Sequence, residues 1–190
     1  MPFVSMVKKF FIRSLLGCII AAVLLQGLFV ARVASWRWLD PSTTSFQRAE
    51  YARLLREKPG FVWKQSWRDY PQIADSLKSA VIASEDSAFI DHEGVDWDAI
   101  QSAWEGNNKG KRIKGGSTIT QQLAKNLLLA GERNYARKGE ELVLTYLLEA
   151  LLGKERILEI YLNCVELGEG VFGAQAVRYR GIDRDVADFW

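Results

Sequence analysis

The sequence predicts a mainly α protein, with one apolar helix near the N-terminus followed by a single helical domain. An uncharged apolar run extends from Ser14 to Ala31, and Gln26 is its only strongly polar member. Beyond it, apolar residues recur at helical spacing, and no sustained period-two alternation indicates a sheet. The 190 residues suffice for one well-packed domain and hardly for two.

The composition excludes some classes of protein. Apolar residues make up 48% and charged residues 25% of the chain, which is a globular rather than a disordered balance. A net charge of +2 gives no argument for nucleic acid, and no nucleic-acid partner is expected. Cys18 and Cys164 fall in different parts of the chain, so a disulfide between them is not expected.

The N-terminal run has the length of a membrane-spanning helix. Its 18 residues approach the ~20 that cross a bilayer. A cleaved signal peptide is the alternative, but its apolar core is usually ~7–15 residues and ends in a small-x-small site. Here Ala31-Arg32-Val33 places a cation at such a site, which favours a retained anchor. Lys8, Lys9 and Arg13 then predict a cytoplasmic N-terminus.

The remaining helices are predicted in order from their start and stop signals. Thr44 and Gln47 have capping-box spacing, and Phe46, Tyr51, Leu54 and Leu55 follow on a helical stripe. Asp69 and Pro71 suit the start of the next helix, which carries Ile73, Leu77, Ala80 and Ser84 on one face. Four further helices are predicted at about Asp96 to Glu105, Thr118 to Leu129, Tyr135 to Leu152 before Gly153, and Lys154 to Leu162.

The first polar cluster comprises Glu85, Asp86, His92 and Gly94 at the end of a predicted helix. Two adjacent acids alone are most often an ordinary loop pair. His92 is the only histidine in the sequence and has no Cys or His partners, so zinc is not expected. A local hydrogen bond in the turn is the predicted role of its ring.

The second cluster is the segment 115–126. Its Gly-Gly-Ser-Thr start leaves free N–H groups at a helix N-terminus, which can bind an anion. Gln121 with Lys125, and Gln122 with Asn126, are i,i+4 neighbours on that helix. The spacing is not that of a nucleotide P-loop. A solvated loop leading into a capped helix is the alternative, and the basic loop before it holds Lys109, Lys111, Arg112 and Lys114.

The third cluster is Arg137, Lys138 and Glu141. Cations followed by acids at a helix start are compatible with simple surface charge, and the strip Glu141, Thr145 and Glu149 is compatible with a solvent-facing position. Together the clusters fit glycosyl transfer, which needs a base for the attacking hydroxyl and stabilisation of the leaving group. Arg, Lys and backbone N–H groups are the expected partners of a pyrophosphate.

Four ordered motifs resemble the peptidoglycan glycosyltransferases of glycosyltransferase family 51, and the single anchor resembles the monofunctional members of that family. The likeness runs from about Phe61 to Ala176. The motifs are Glu85-Asp-x-x-Phe-x-x-His92-x-Gly94, Gly116-Ser-Thr-x-Thr-Gln-Gln-Leu-x-Lys125-Asn126, Arg137-Lys138-x-x-Glu141, and Lys154-x-x-Ile-Leu-Glu159-x-Tyr161-Leu-Asn163.

The resemblance implies a lysozyme-like, mainly α domain that polymerises lipid II into β-1,4-linked glycan in the periplasm, anchored by one transmembrane helix in the bacterial inner membrane. Glu85 matches the catalytic base and Glu141 the second catalytic glutamate. Lys125, Arg137 and Lys138 match diphosphate-binding residues, and Ser117, Gln121 and Asn126 match residues lining the cleft. No resident cofactor or metal ligand is implied, although Mg²⁺ assists the pyrophosphate in some members. The implied partners are lipid II, the growing strand, and other cell-wall synthesis or division proteins.

The expected segments are a cytoplasmic N-terminus (1–13), an anchor (14–34), a juxtamembrane region (35–60), the glycosyltransferase domain (61–176) and an atypical tail (177–190). The tail departs from the family pattern after Ala176 and resembles a truncation or frame change, so the domain is expected to be incomplete. Two alternatives follow. One is an inactive remnant that binds lipid II or cell-wall partners. The other is a lytic enzyme, which has no use for diphosphate-binding cations.

Overall fold

The computed structural model describes residues 2–58, 60–63, 65–108, 116–129, 135–168 and 170–174. The chain divides into two compact units, Met1–Leu39 and Asp40–Trp190. The first unit consists mainly of α1 (Pro2–Ser35). Within it, Lys9–Ser35 is long and apolar enough to cross a membrane. No residue in the most apolar stretch of this helix is buried. Because a signal sequence has the same properties, this helix is compatible with either N-terminal interpretation.

The second unit is built mainly from helices, which confirms the predicted fold class. In chain order they are α2 (Ser45–Glu57), a 3₁₀ turn (Tyr70–Gln72), α3 (Asp75–Glu85), α4 (Trp97–Asn108), α5 (Ile119–Leu128), α6 (Tyr135–Leu152) and α7 (Lys154–Cys164). A short antiparallel hairpin follows, β1 (Glu166–Gly168) with β2 (Val171–Phe172), in which Glu166 lies opposite Phe172.

The helix α5 is central to the second unit, since it packs against α2, α6 and α7. Its apolar stripe, with Leu123 and Leu127, is buried against these neighbours. In α7, every residue from Ile157 to Cys164 is buried, which identifies this helix as a core element rather than a surface one. Each large apolar side chain so buried contributes about 1.5–3 kcal/mol to folding.

Capping residues fix the ends of these helices much as their spacing predicts. The side chains of Thr44 and Thr118 each accept the backbone N–H of the glutamine three positions on. The side chain of that glutamine in turn accepts the backbone N–H of the threonine. Both capping boxes therefore form. The predicted helix start at Asp69 and Pro71 is wrong, because these residues begin only one 3₁₀ turn. Ile73 is then extended, with φ −83° and ψ 129°, and α3 starts at Asp75.

Candidate active site

Glu85 is the last residue of α3 and lines a cleft of about 390 Å³. The cleft is bounded by α3, by the start of α4 and by the segment that leads into α5. Besides Glu85 its lining includes Asp86, Asp96, Ser117 and Thr118. The structure therefore brings Ser117 of the second motif to the same cleft as Glu85 of the first motif.

The carboxylate of Glu85 is held by an amide from α5. Gln122 Nε2 donates to Glu85 Oε2 at 2.7 Å. On its other side, Gln122 Oε1 accepts the hydroxyl of Tyr161 on α7 at 2.9 Å. Burial and then the charge of Glu85 raise the pKa of Tyr161 above its usual range, so its phenol keeps its proton. Neither Gln122 nor Tyr161 was among the predicted site residues, because nothing in the spacing places them beside Glu85.

Asp86, the neighbour of Glu85, points into the protein instead. Its buried carboxylate accepts the backbone N–H of Ile119 at 3.0 Å and lies 2.9 Å from His92 Nε2. His92 Nδ1 accepts the N–H of Gly94 at 3.1 Å, so the proton of a neutral ring is on Nε2 and is donated to Asp86. The ring makes the predicted local bond in the turn. The anion at the N-terminus of α5 is the protein's own Asp86.

The residues at the start of α5 are fixed by further bonds. Thr118 Oγ1 donates to the carbonyl of Gly94 at 2.6 Å and also accepts the N–H of Gln121. Gln121 is only 3% exposed, and its Oε1 accepts the N–H of Thr118. Its amide oxygen is thus committed to the capping box, while its substrate-binding role stays a prediction. Further along α5, Lys125 is exposed and Asn126 is half-buried.

Glu141 lies on α6, against two cations of its own helix. It is 4% exposed, forms an ion pair with Lys138, and lies 3.8 Å from a terminal nitrogen of Arg137. Thr145, one turn on, is fully buried. The solvent-facing interpretation of this strip is therefore wrong, and its third member, Glu149, accepts bonds from Thr120 of α5 and Lys154 of α7. No direct bond between Glu85 and Glu141 is seen in the described ranges.

A network beneath the turn after Glu85 joins three helices. Lys154 Nζ of α7 donates to the carbonyl of His92 at 2.6 Å and to Glu149 Oε1 of α6 at 2.8 Å. The same oxygen accepts Thr120 Oγ1 of α5 at 2.6 Å. Lys154 also lies 4.6 Å from the centre of the Phe89 ring. These contacts fix the turn that carries the first motif.

Some of the predicted features lie outside the described residues, namely the basic loop of Lys109, Lys111, Arg112 and Lys114, and the tail 177–190. In the part of the chain that the structure does describe, no group of three or more His, Cys, Asp or Glu side chains could hold a metal ion. Both cysteines are free, and Cys164 is buried.

The sequence model of the Transglycosylase family matches residues 41–186. Among curated proteins, a biosynthetic peptidoglycan transglycosylase of Cupriavidus pinatubonensis is 55% identical over 172 residues, covering 87% of this chain and 67% of that protein. Proteins of the same name from Paraburkholderia xenovorans and Janthinobacterium sp. are 49% and 51% identical to this chain. Each match covers 86% of this chain, and the two matches cover 70% and 72% of the respective relatives. The chain thus spans about two thirds of these relatives.

The matched residues 41–186 include all of the helices from α2 to α7 and the hairpin. A lysozyme-like, mainly α domain is the fold class of this family, and the prediction of that fold class is confirmed. The chain belongs to the Transglycosylase family.

Proposed function

We propose that the chain is a peptidoglycan glycosyltransferase that polymerises lipid II into β-1,4-linked glycan, with Glu85 as the base. Its substrates are the acceptor lipid II and the growing strand linked through undecaprenyl pyrophosphate. The observation that carries this proposal is the setting of Glu85, which lines the cleft and whose carboxylate accepts an N–H from Gln122. An N–H donor stabilises the ionised form that a base requires.

In the proposed step, a Glu85 oxygen takes the proton of the acceptor 4-hydroxyl. The freed oxygen attacks C1 of the donor sugar, and the new C–O bond forms as the bond from C1 to the pyrophosphate breaks. The pyrophosphate leaves with the electron pair and therefore gains negative charge. Cations that meet this charge lower the barrier, because they interact more strongly with the transition state than with the ground state.

Lys125, Arg137 and Lys138 are the proposed partners of the diphosphate. Lys138 is 54% exposed in its side chain although it pairs with Glu141, so it can reach a ligand. We assign Glu141 the task of holding Arg137 and Lys138 in place and of tuning the charge around the leaving group. Ser117, Gln121 and Asn126 are the proposed lining of the same cleft. Mg²⁺, where used, enters with the pyrophosphate.

The helix α1 is proposed as a single-pass anchor in the inner membrane, with residues 1–13 in the cytoplasm and the catalytic domain in the periplasm. Its exposed apolar surface supports this role, since a bilayer would cover it. The location follows from the substrate too, because a polyprenyl-linked sugar is held in the bilayer. The segment bounds predicted above are kept as part of this proposal.

The deciding experiment is polymerisation of lipid II by the full-length chain in detergent, followed by separation of the glycan products. Glu85→Gln should abolish turnover and leave thermal unfolding unchanged. Glu93→Gln is the matched control, since this exposed glutamate lies in the same turn and should retain activity. Full activity in Glu85→Gln would refute the assignment of the base.

Two further variants test the leaving-group site. Glu141→Gln should strongly impair turnover, and Lys125→Ala should weaken substrate binding or transition-state stabilisation. An unchanged rate in Lys125→Ala would remove this lysine from the diphosphate site. Cleavage of preformed glycan without polymerisation would support a lytic enzyme, and binding of lipid II without any turnover would support a non-catalytic remnant.

A further inference from the structure

Three polar side chains form a continuous row from the core to the cleft. Tyr161 is 2% exposed on α7, and its hydroxyl lies 2.9 Å from Gln122 Oε1. Gln122 Nε2 lies 2.7 Å from Glu85 Oε2. Three helices, α7, α5 and α3, contribute one member each. The row ends at the carboxylate to which the proposed function assigns the base role.

The chemistry of the two ends decides how the middle amide is oriented. An ionised carboxylate can only accept hydrogen bonds, so it requires the NH₂ side of Gln122. The buried phenol retains its proton, because burial raises its pKa, and it donates to the amide oxygen. With the amide turned over, its oxygen would face the carboxylate oxygen, and two acceptors would repel each other.

We propose that Tyr161 is a positioning residue that acts on Glu85 through Gln122. Its hydroxyl holds the amide oxygen and thereby keeps the amide N–H aimed at the base. This inference rests on the proposed base role of Glu85. It assigns to Tyr161, a residue of the fourth motif, a task beyond filling the core.

The consequence is a specific loss when the hydroxyl is removed. In Tyr161→Phe the ring still fills its buried position, but the amide oxygen loses its donor. The amide can then turn, and Glu85 loses a fixed charge-assisted hydrogen bond. Such bonds are strong enough that losing one should slow turnover by about 10-fold or more. Because the substrate contacts are untouched, kcat should fall while KM stays within about twofold.

The test is a double-mutant cycle on the full-length chain in detergent, with lipid II polymerisation as the assay. It compares Tyr161→Phe, Gln122→Leu and the double variant with the unmodified chain. The expected result is that the double variant is no slower than Gln122→Leu alone, because the tyrosine acts only through that amide. Tyr146→Phe, which removes an exposed phenol from α6, is the control and should be silent.

Multiplicative losses in the double variant would overturn the inference and show that the two residues act separately. A Tyr161→Phe variant with normal kcat would also overturn it, as would a loss confined to KM. Thermal unfolding of each variant separates lost folding from lost positioning. If Glu85→Gln remains active, the proposed function fails instead. If Glu85→Gln is inactive and the losses in the double variant are multiplicative, only the role of Tyr161 fails.

Discussion

Gly94→Ala is expected to destabilise the domain for two separable reasons. Gly94 has φ +87°, a left-handed conformation that costs an alanine about 1–2 kcal/mol. A Cβ there would also lie 2.7 Å from Thr145 Cγ2 and 2.9 Å from Glu149 Cγ. Neither atom can move away easily, because Thr145 is fully buried and the Glu149 carboxylate is bonded to Lys154.

Overpacking of this kind adds about 1–3 kcal/mol, so the total is about 2–5 kcal/mol. For a chain of this size, each kcal/mol lowers the thermal midpoint by about 2–4 °C. Gly60→Ala is the control, since Gly60 has φ +90°, close to that of Gly94, but no atom within 4 Å of the added Cβ. It therefore reports the backbone strain alone, at about 1–2 kcal/mol.

The measurement is thermal unfolding of the full-length chain in detergent, monitored by circular dichroism. Thr145→Ser in the Gly94→Ala background should recover part of the loss, because it removes the clashing methyl group and keeps the hydroxyl that donates to the carbonyl of Glu141. Equal midpoints for Gly94→Ala and Gly60→Ala would refute the clash, and no recovery with Thr145→Ser would show that Thr145 is not its source.

Three other perturbations follow from contacts in the same domain. Thr118→Ala removes the α5 cap and should cost about 1 kcal/mol in unfolding free energy, which Thr118→Ser should restore; equal stability of the two variants would contradict this. Lys154→Met leaves the partly buried Glu149 with one donor fewer and should cost about 1–3 kcal/mol by urea unfolding, whereas an unchanged midpoint would refute it. Burial raises the pKa of Cys164 from 9.0 to about 12. In a Cys18→Ser chain, iodoacetamide at pH near 8 should therefore label it only after unfolding, and labelling of the native chain would contradict its burial. Because the native thiol keeps its proton where the unfolded thiol has lost it, this group contributes stability that declines as the pH rises above about 9.

Helix ends were predictable where their signals are local. The Thr44 and Thr118 capping boxes depend on side chains three residues apart, and both form. Pro71 misled the prediction, because a proline near a first turn suits a 3₁₀ turn as well as an α-helix. The hairpin β1–β2 was missed, since strands of three and two residues are too short to show alternation.

The arrangement of the candidate site was only partly predictable from the sequence. Glu85 and Gln122 are separated by 37 positions, so their bond depends on tertiary packing that spacing cannot reveal. Glu141 shows the same limit. A strip of polar residues on a helix is usually solvent-facing, but Gly94 lies against Thr145 and Glu149, and Glu149 also accepts bonds from Thr120 and Lys154.

The bond between Asp86 and the first N–H of α5 has a consequence for ionic strength. Because this carboxylate compensates the positive end of the helix, the diphosphate of the proposed substrate would gain less from the helix dipole. Its attraction then depends more on side-chain cations such as Lys125 and Lys138, which are exposed. Mobile salt ions screen exposed charges much more effectively than buried ones. Substrate affinity should therefore decline as salt is added, while the fold, held by the buried Asp86, is much less affected.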